Sequence, residues 1–445
     1  MSDHLPGPIV ARATQLGMDL AGWAQTHRDR PLAEQEQGVL DLVREALPDL
    51  LTAVLQASTA SLNAQQPRLR ERCPRCAARV QRQSWRTRRV ESICGPVRIE
   101  RPWYACRGCA HGWSPADRVL GLAQRGRVSA GLDEWLVRLG AATTFRDAAS
   151  LLQLLTGRAM VAESVRRHAE ARGTALAATQ AAAIHRVEET GQAAEGPVEA
   201  PGVLLVEADG VQVRYTDAWH EVKIGLAAGC RAGEAIAPSY VAAREGPAAF
   251  GPRLLAEAAR RGALAVVGWQ GGLWGTSLAV LRPVVVLGDG APWIWNLAAD
   301  HFGARTEIVD FYHASEHVWA LATALYGPET PTTRHWARAQ TGNLYERGAD
   351  ALLEELGRLR AATPEAAESL RRERGYFRTN AARMNYPAYR AQGLPIGSGP
   401  VESAGKHLVQ HRLKRPGARW SQAGAMAVLT LRTYLASNRP LVPAA

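Results

Sequence analysis

Two C-x-x-C pairs constrain this chain more than any other feature. Cys73-Pro-Arg-Cys76 and Cys106-Arg-Gly-Cys109 stand 29 residues apart. Each pair brings two thiolates to one ion from a tight turn, and two pairs complete a tetrahedral all-sulfur zinc site. Four protein ligands leave no open position for a substrate, so the zinc is expected to be structural. The intervening length fits if strands form a ribbon between the knuckles. Redox thiols, or small buried residues, are the competing reading. Paired motifs in a reducing compartment argue against it. Cys94 and His111 lie close enough in sequence to stand in for a ligand, and Cys230 reads as a core residue.

The charge around the cysteines points to a polyanion. Between Arg68 and Arg101 there are 11 arginines and 3 glutamates, a local charge of +8 within a chain whose net charge is +11 and whose pI is about 9.7. The chain holds 50 arginines and only 3 lysines (Lys223, Lys406, Lys414). Guanidinium forks suit phosphate, and nucleic acid is the commonest polyanionic partner. Arg82, Arg86, Arg88 and Arg89 are therefore expected to contact DNA. With 445 residues, 47% hydrophobic and 21% charged, the chain can bury a core, and global disorder is excluded.

The remaining segments alternate in character. Residues 1–66 read as an N-terminal helical region, either a small bundle or a dimerisation arm. Residues 67–125 form the zinc ribbon. Residues 126–186 are helical again and split at Thr156-Gly157-Arg158 into a hairpin with the outline of a helix-turn-helix. Its second helix carries Arg166 and Arg167 as expected DNA contacts. Residues 187–200 hold four glutamates and no basic residue, which marks an acidic linker. Residues 201–329 alternate strand and helix and predict an α/β sheet of mixed direction. Residues 330–390 form a helical insertion, and residues 391–440 return after a Gly/Pro turn to helices. The uncharged stretch 262–281 carries five glycines and reads as strands and loops rather than a membrane span. The start, MSDHLPGPIVARATQLG, has no basic run followed by an apolar stretch, so a cytoplasmic location is expected.

Three acids stand out. Asp209 ends the apolar strand VLLVEADG, and Asp289 ends VVVLGDG. Glu402 follows the turn GSGP and opens a helix. Carboxylates at strand ends of an α/β sheet sit where loops open onto a site. Converging, they would hold two Mg²⁺ ions, which prefer oxygen ligands and phosphate partners. Taken singly, each has an ordinary reading as a turn former or a first-turn helix charge. Lys406, Arg412, Lys414 and Arg415 follow Glu402 closely, and a basic helix behind a metal-binding acid suits a DNA backbone. Glu207 shares a strand face with Asp209 and is an alternative ligand. Trp293 and Trp295 read as core, with stacking on a displaced base as the alternative.

The motifs CPRC…CRGC, PADRVLGL, TFRDAASLL, VEADG, VVVLGDGAPWIWNLA, VDFYHASEH and GLPIGSGPVESAGKHLVQHRLKRPGARWS carry a family resemblance. Across most of its length the chain resembles bacterial insertion-sequence transposases of the Kra type, within the mutator-like DDE superfamily. The resemblance implies a ribonuclease-H-like core with a helical insertion before the last acid. It makes Asp209 the first D, Asp289 the second and Glu402 the E, separated by 80 and 113 residues. It also matches Asp310 and His313 to a D-x-x-H motif beside the ligands. The implied protein is a multidomain transposase that binds terminal inverted repeats. It would cut them in a Mg²⁺-dependent reaction, with Mn²⁺ able to replace Mg²⁺, and join the ends to target double-stranded DNA. It would act as a homodimer or higher oligomer associated with the nucleoid, without a membrane partner. Two alternatives remain: a ribonuclease-H-like nuclease that cuts without joining, and a non-enzymatic zinc-ribbon DNA-binding regulator.

Overall fold

A computed structural model describes residues 7–64, 70–122, 126–191, 193, 202–261, 264–266, 278–280 and 283–441. The chain divides into two compact units, residues 1–169 and 170–445. It is a multidomain α/β protein with a mixed sheet and many helices.

The first unit opens with α1 (Gly7–Thr26) and α2 (Leu32–Ala64). Four strands follow: β1 (Arg70–Arg72), β2 (Arg79–Ser92), β3 (Gly95–Ala105) and β4 (Gly112–Trp113), hydrogen-bonded in that order. β2 and β3 make one long antiparallel hairpin. Its turn is closed by Gly95 at φ +116°, a conformation that residues with a Cβ rarely adopt. Burial alternates along both strands, as a half-covered ribbon requires. Val90, Val97 and Ile99 pack inward against Leu51 and Leu55 of α2.

After the short α3 (Pro115–Val119), three helices complete this unit: α4 (Ala130–Ala142), α5 (Phe145–Thr156) and the start of α6 (Ala162–Thr190). Their lengths follow from local signals. The Thr144 hydroxyl accepts the Asp147 N–H at 3.0 Å to start α5, and Gly157 ends it at φ +70°. Leu132, Leu136, Leu152 and Val165 form their shared core. The acidic stretch begins inside α6, which continues through Thr190; residue 192 and residues 194–200 lie outside the described residues.

The second unit is built on a five-stranded sheet. β5 (Leu204–Arg214), β6 (Trp219–Arg231) and β7 (Glu234–Ala243) form an antiparallel meander. α7 (Pro247–Arg260) follows, then β8 (Leu264–Val266) and β9 (Leu278–Val280), which pair only with each other. The rest of the uncharged stretch lies outside the described residues. β10 (Val284–Gly288), α8 (Pro292–His301), β11 (Arg305–Val309) and α9 (Phe311–Tyr326) come next. β10 runs parallel to both β5 and β11, giving the order β11-β10-β5-β6-β7. All five residues of β10 are buried, as a strand covered on both faces requires.

One sequence expectation fails here. The apolar run before Asp209 and the VQVRY run after it read as two strands with Asp209 at a strand end. They are a single strand, because Asp209 and Gly210 keep their places in the ladder opposite Ile224 and Lys223. Asp209 is mid-strand.

Four helices intervene before the last acid: α10 (Pro331–Arg347), α11 (Ala349–Arg358), α12 (Pro364–Asn380) and α13 (Tyr386–Ala391). Leu344, Leu352, Leu356 and Phe377 from these helices share the core of the sheet. α14 (Gly399–Ala404), a π-helical turn at Gly405–Gln410, α15 (His411–Leu413) and α16 (Gln422–Ala436) finish the unit. No helix among the described residues is long and apolar enough to cross a membrane.

Candidate functional site

The first unit gathers the four predicted cysteines. The Cys73 and Cys109 sulfurs are 3.5 Å apart, as are those of Cys76 and Cys106, and all four lie within 4.8 Å of one another. Tetrahedral zinc with bonds of about 2.3 Å needs sulfur separations of about 3.8 Å, so the set fits the ion. The two knuckles repeat one backbone pattern. The Cys73 N–H donates to the Ala78 carbonyl at 2.9 Å, and the Cys106 N–H donates to the His111 carbonyl at 2.8 Å. Ala77 and Ala110, each next to the second cysteine, sit at φ +59° and +57°. Burial pushes the Cys73 thiol up, but N–H groups of Arg75 and Cys76 outweigh it and bring it to about 7. The Cys109 thiol is lowered by the His111 N–H, yet burial and the three neighbouring thiols drive it up to about 12. Four thiols in one place cannot all ionise without a compensating cation. Neither Cys94 nor His111 is needed as a ligand. Cys94 lines a separate apolar cavity of about 290 Å³ with Leu51 and Leu55, and His111 stacks on Trp113.

The predicted DNA-binding arginines separate by burial. Arg88 is 8% exposed and, with Arg101, forms ion pairs to Asp117 at 3.0 and 3.1 Å. Its head is spent inside the protein, so it is no DNA contact. Arg412 is likewise buried, its guanidinium 4.8 Å from the Trp420 ring. Both were placed on the surface by a charge count that cannot see burial. Arg86 and Arg89 are exposed, and Arg82 is half-buried over the Trp85 ring at 4.9 Å. Arg166 pairs with Glu163, whereas Arg167 is exposed beside Ser164. Lys406 and Lys414 are exposed, and Arg415 reaches back to the His411 carbonyl.

In the second unit, Asp209, Asp289 and Glu402 line one cleft of about 330 Å³, together with Tyr312, His313, Glu316 and Ser398. Three distant segments converge there. Asp209 projects from β5, where its carboxylate accepts the Gly210 N–H at 2.6 Å. Asp289 follows β10 and accepts the Ala291 N–H at 2.8 Å. Glu402 projects from α14, with the Ser398 hydroxyl at 3.4 Å and Lys406 at 3.9 Å. Gly405 permits a close approach: a Cβ there would lie 3.2 Å from Val211 and 3.7 Å from the Asp209 carboxylate. Burial, then the charges of Asp289, Glu402 and Glu221, push Asp209 up to about 6 despite the Gly210 hydrogen bond. The carboxylates are less tightly drawn together than the thiols. Among the described residues the four cysteines are the one group of three or more such donors within 4.8 Å of one another.

Glu207, the alternative ligand, is fully buried and does not line this cleft. Its carboxylate accepts the Val401 N–H at 2.9 Å, which anchors the start of α14. Burial pushes it up to about 8. Asp310 is also fully buried. It caps α9 by accepting the His313 N–H at 2.7 Å and also accepts the Ser398 N–H, tying α9 to the turn that delivers Glu402. Asp310 therefore touches backbone, while His313 reaches the cleft. Trp295 is 7% exposed, and the partly buried Trp293 packs against the same core with the Lys223 ammonium 4.2 Å from its ring centre.

A second layer was not legible in the sequence. His317, one turn beyond His313, holds Glu373 of α12 at 2.6 Å. Its ring stacks on Tyr376 at 3.9 Å. The Tyr376 hydroxyl donates to the Asp289 carbonyl at 3.2 Å. Only the i, i+4 spacing of the histidines hinted at it; the partners lie more than fifty residues away.

The two donor sets define a chain with a thiolate centre in one unit and a carboxylate cleft in the other. Residues 31–224 match a family model described as "Uncharacterised protein family (UPF0236)". That span includes the four cysteines and Asp209 but ends before Asp289 and Glu402. The chain is also similar to a "UPF0236 protein in vanSb 3'region" from Streptococcus gallolyticus. The two are 25% identical over 368 residues, covering 79% of this chain and 74% of that protein.

Proposed function

We propose that the chain is a DDE transposase of the Kra type. It would bind the terminal inverted repeats of its own element, cleave their ends and join them to target DNA, as a homodimer or higher oligomer on the DNA. The observation that carries this reading is the meeting of Asp209, Asp289 and Glu402 on one cleft, from segments 80 and 113 residues apart. The strand order, an antiparallel meander continued by two parallel strands, supports a ribonuclease-H-like reading of the core. The helices between β11 and Glu402 support the insertion that the resemblance implies.

Divalent magnesium, or manganese in its place, fits the donor set, since the cleft offers oxygen ligands, and burial with the neighbouring carboxylates pushes Asp209 up to about 6, a strain that a cation relieves. When bound there, the metal supplies activation of a water or a 3′ hydroxyl and stabilises the leaving oxygen. Asp209, Asp289 and Glu402 would hold it. His313 and Tyr312 stand at the cleft to meet DNA, and Tyr312 is 67% exposed. Asp310 and Glu207 act at one remove, by holding α9 and α14 in place. Lys406, on the same helical run as Glu402, sits to take a phosphate.

The test is Mg²⁺-dependent cleavage and strand transfer on a duplex carrying the element's ends. Asp289→Asn and Glu402→Gln each lose cleavage by about a thousandfold or more while DNA binding survives. Full activity in either folded variant overturns the reading. Cleavage without joining would leave a nuclease.

A further inference from the structure

We propose that the outward face of the β2–β3 hairpin is a groove-reading surface for duplex DNA, with Arg89 and Arg98 as its phosphate clamp. The proposal rests on the transposase reading only in taking DNA as the polyanion. Alternating burial fixes this face beyond the bulge at Arg82–Ser84: Val90, Val97 and Ile99 point inward, while Trp85, Arg89 and Arg98 are exposed on the other side.

Charge is the first argument. Arg89 and Arg98 are directly opposite each other across the ladder. Like charges placed opposite destabilise a sheet. Neither Arg89 nor Arg98 has a carboxylate within ion-pair distance among the described residues. A ribbon that keeps this pair is completed by an anion. The buried Arg88 and Arg101 show the contrast, since the Asp117 carboxylate pairs with both from inside the protein.

Shape and chemistry select the duplex. Two paired strands stand about 4.8 Å apart, and a major groove about 12 Å wide admits such a ribbon. Arginine forks are among the groups that read base edges in that groove. Trp85, 46% exposed with Arg82 beneath its ring, is a single aromatic rather than the row that a single-stranded ligand requires.

Full-length protein is titrated with a labelled mixed-sequence duplex of about three helical turns, at several salt concentrations. Arg89→Gln combined with Arg98→Gln is expected to lower affinity about tenfold or more and to reduce the salt slope by about 2. Trp85→Ala weakens binding and leaves the slope unchanged. Zinc content and melting temperature identify variants that fail to fold, and for those Arg89→Ala alone is measured. Unchanged affinity and slope in a folded arginine variant overturn the proposal. So does a sulfated polysaccharide that competes as well as duplex in both wild type and variant. Loss of cleavage in the Asp289→Asn variant with this binding intact, or the reverse, separates failure of the catalytic reading from failure of this one.

Discussion

At the scale of single residues, burial decides what an acid or a base does. Asp117 and Asp209 have the same side chain. The first, 8% exposed, is matched by two guanidiniums and is structural; the second faces other carboxylates across a cleft. Asp117→Ala should therefore leave Arg88 and Arg101 buried without a counter-charge, costing about 3 kcal/mol. A fall in the melting temperature of the first unit, with the second unit unaffected, checks this. The knuckle alanines offer a finer test. At φ +59° Ala77 carries a Cβ where glycine would carry none. Ala77→Gly should leave stability within about 1 kcal/mol of wild type. Ala77→Val, with branching at the strained carbon, should lower it by about 2 kcal/mol. Chemical denaturation of zinc-loaded protein distinguishes the two.

Among elements, the contact between α9 and α12 links the helical insertion to the cleft. Burial pushes Glu373 up, but the His317 hydrogen bond and Arg372 outweigh it and hold its carboxyl below the usual 4.5. An acid depressed in the folded state contributes stability above its unfolded pKa, and that contribution is lost as pH falls through the folded value. Glu373→Gln should cost about 2 kcal/mol at neutral pH, and the gap to wild type should close as the solution is made acid. Thermal unfolding across that range checks it, and an equal gap at every pH would refute the ionic account. Because Tyr376 lies against the same His317 and donates to the Asp289 carbonyl, Tyr376→Phe tests positioning. If the cleft cuts DNA, this variant lowers turnover and leaves duplex affinity unchanged.

For the whole molecule, the four-cysteine cluster and the sheet core belong to different units. A structural site whose ligands are all thiolates contributes its binding free energy to folding. Stripping zinc with a strong chelator at neutral pH should melt the first unit and leave the mixed sheet folded. Two separated calorimetric transitions, of which only one moves with zinc, are the expected record. A single transition moving as a whole would show that the units fold together. Elemental analysis should give one zinc per chain, lost in a Cys73→Ser, Cys106→Ser variant.

The sequence by itself determined the local features. Two C-x-x-C pairs named the four cysteines that cluster, because a tight turn holds the two sulfurs of a pair close together. Apolar alternation and period named the strands and helices of the second unit, and turn residues such as Gly157 marked where helices stop. It misread β5 as two strands because a ladder tolerates Asp209 and Gly210 once Ile224 and Lys223 stand opposite, and that pairing is not local. Tertiary structure alone decided which arginines are surface. Arg88 and Arg89 are neighbours, yet a period-two strand sends one to Asp117 and the other to solvent. It also decided that Asp209, Asp289 and Glu402 share a cleft, while Glu207, two residues from Asp209, is sealed beneath α14. Convergence across more than a hundred residues depends on how strands pair and helices pack, and no short window of sequence contains that information.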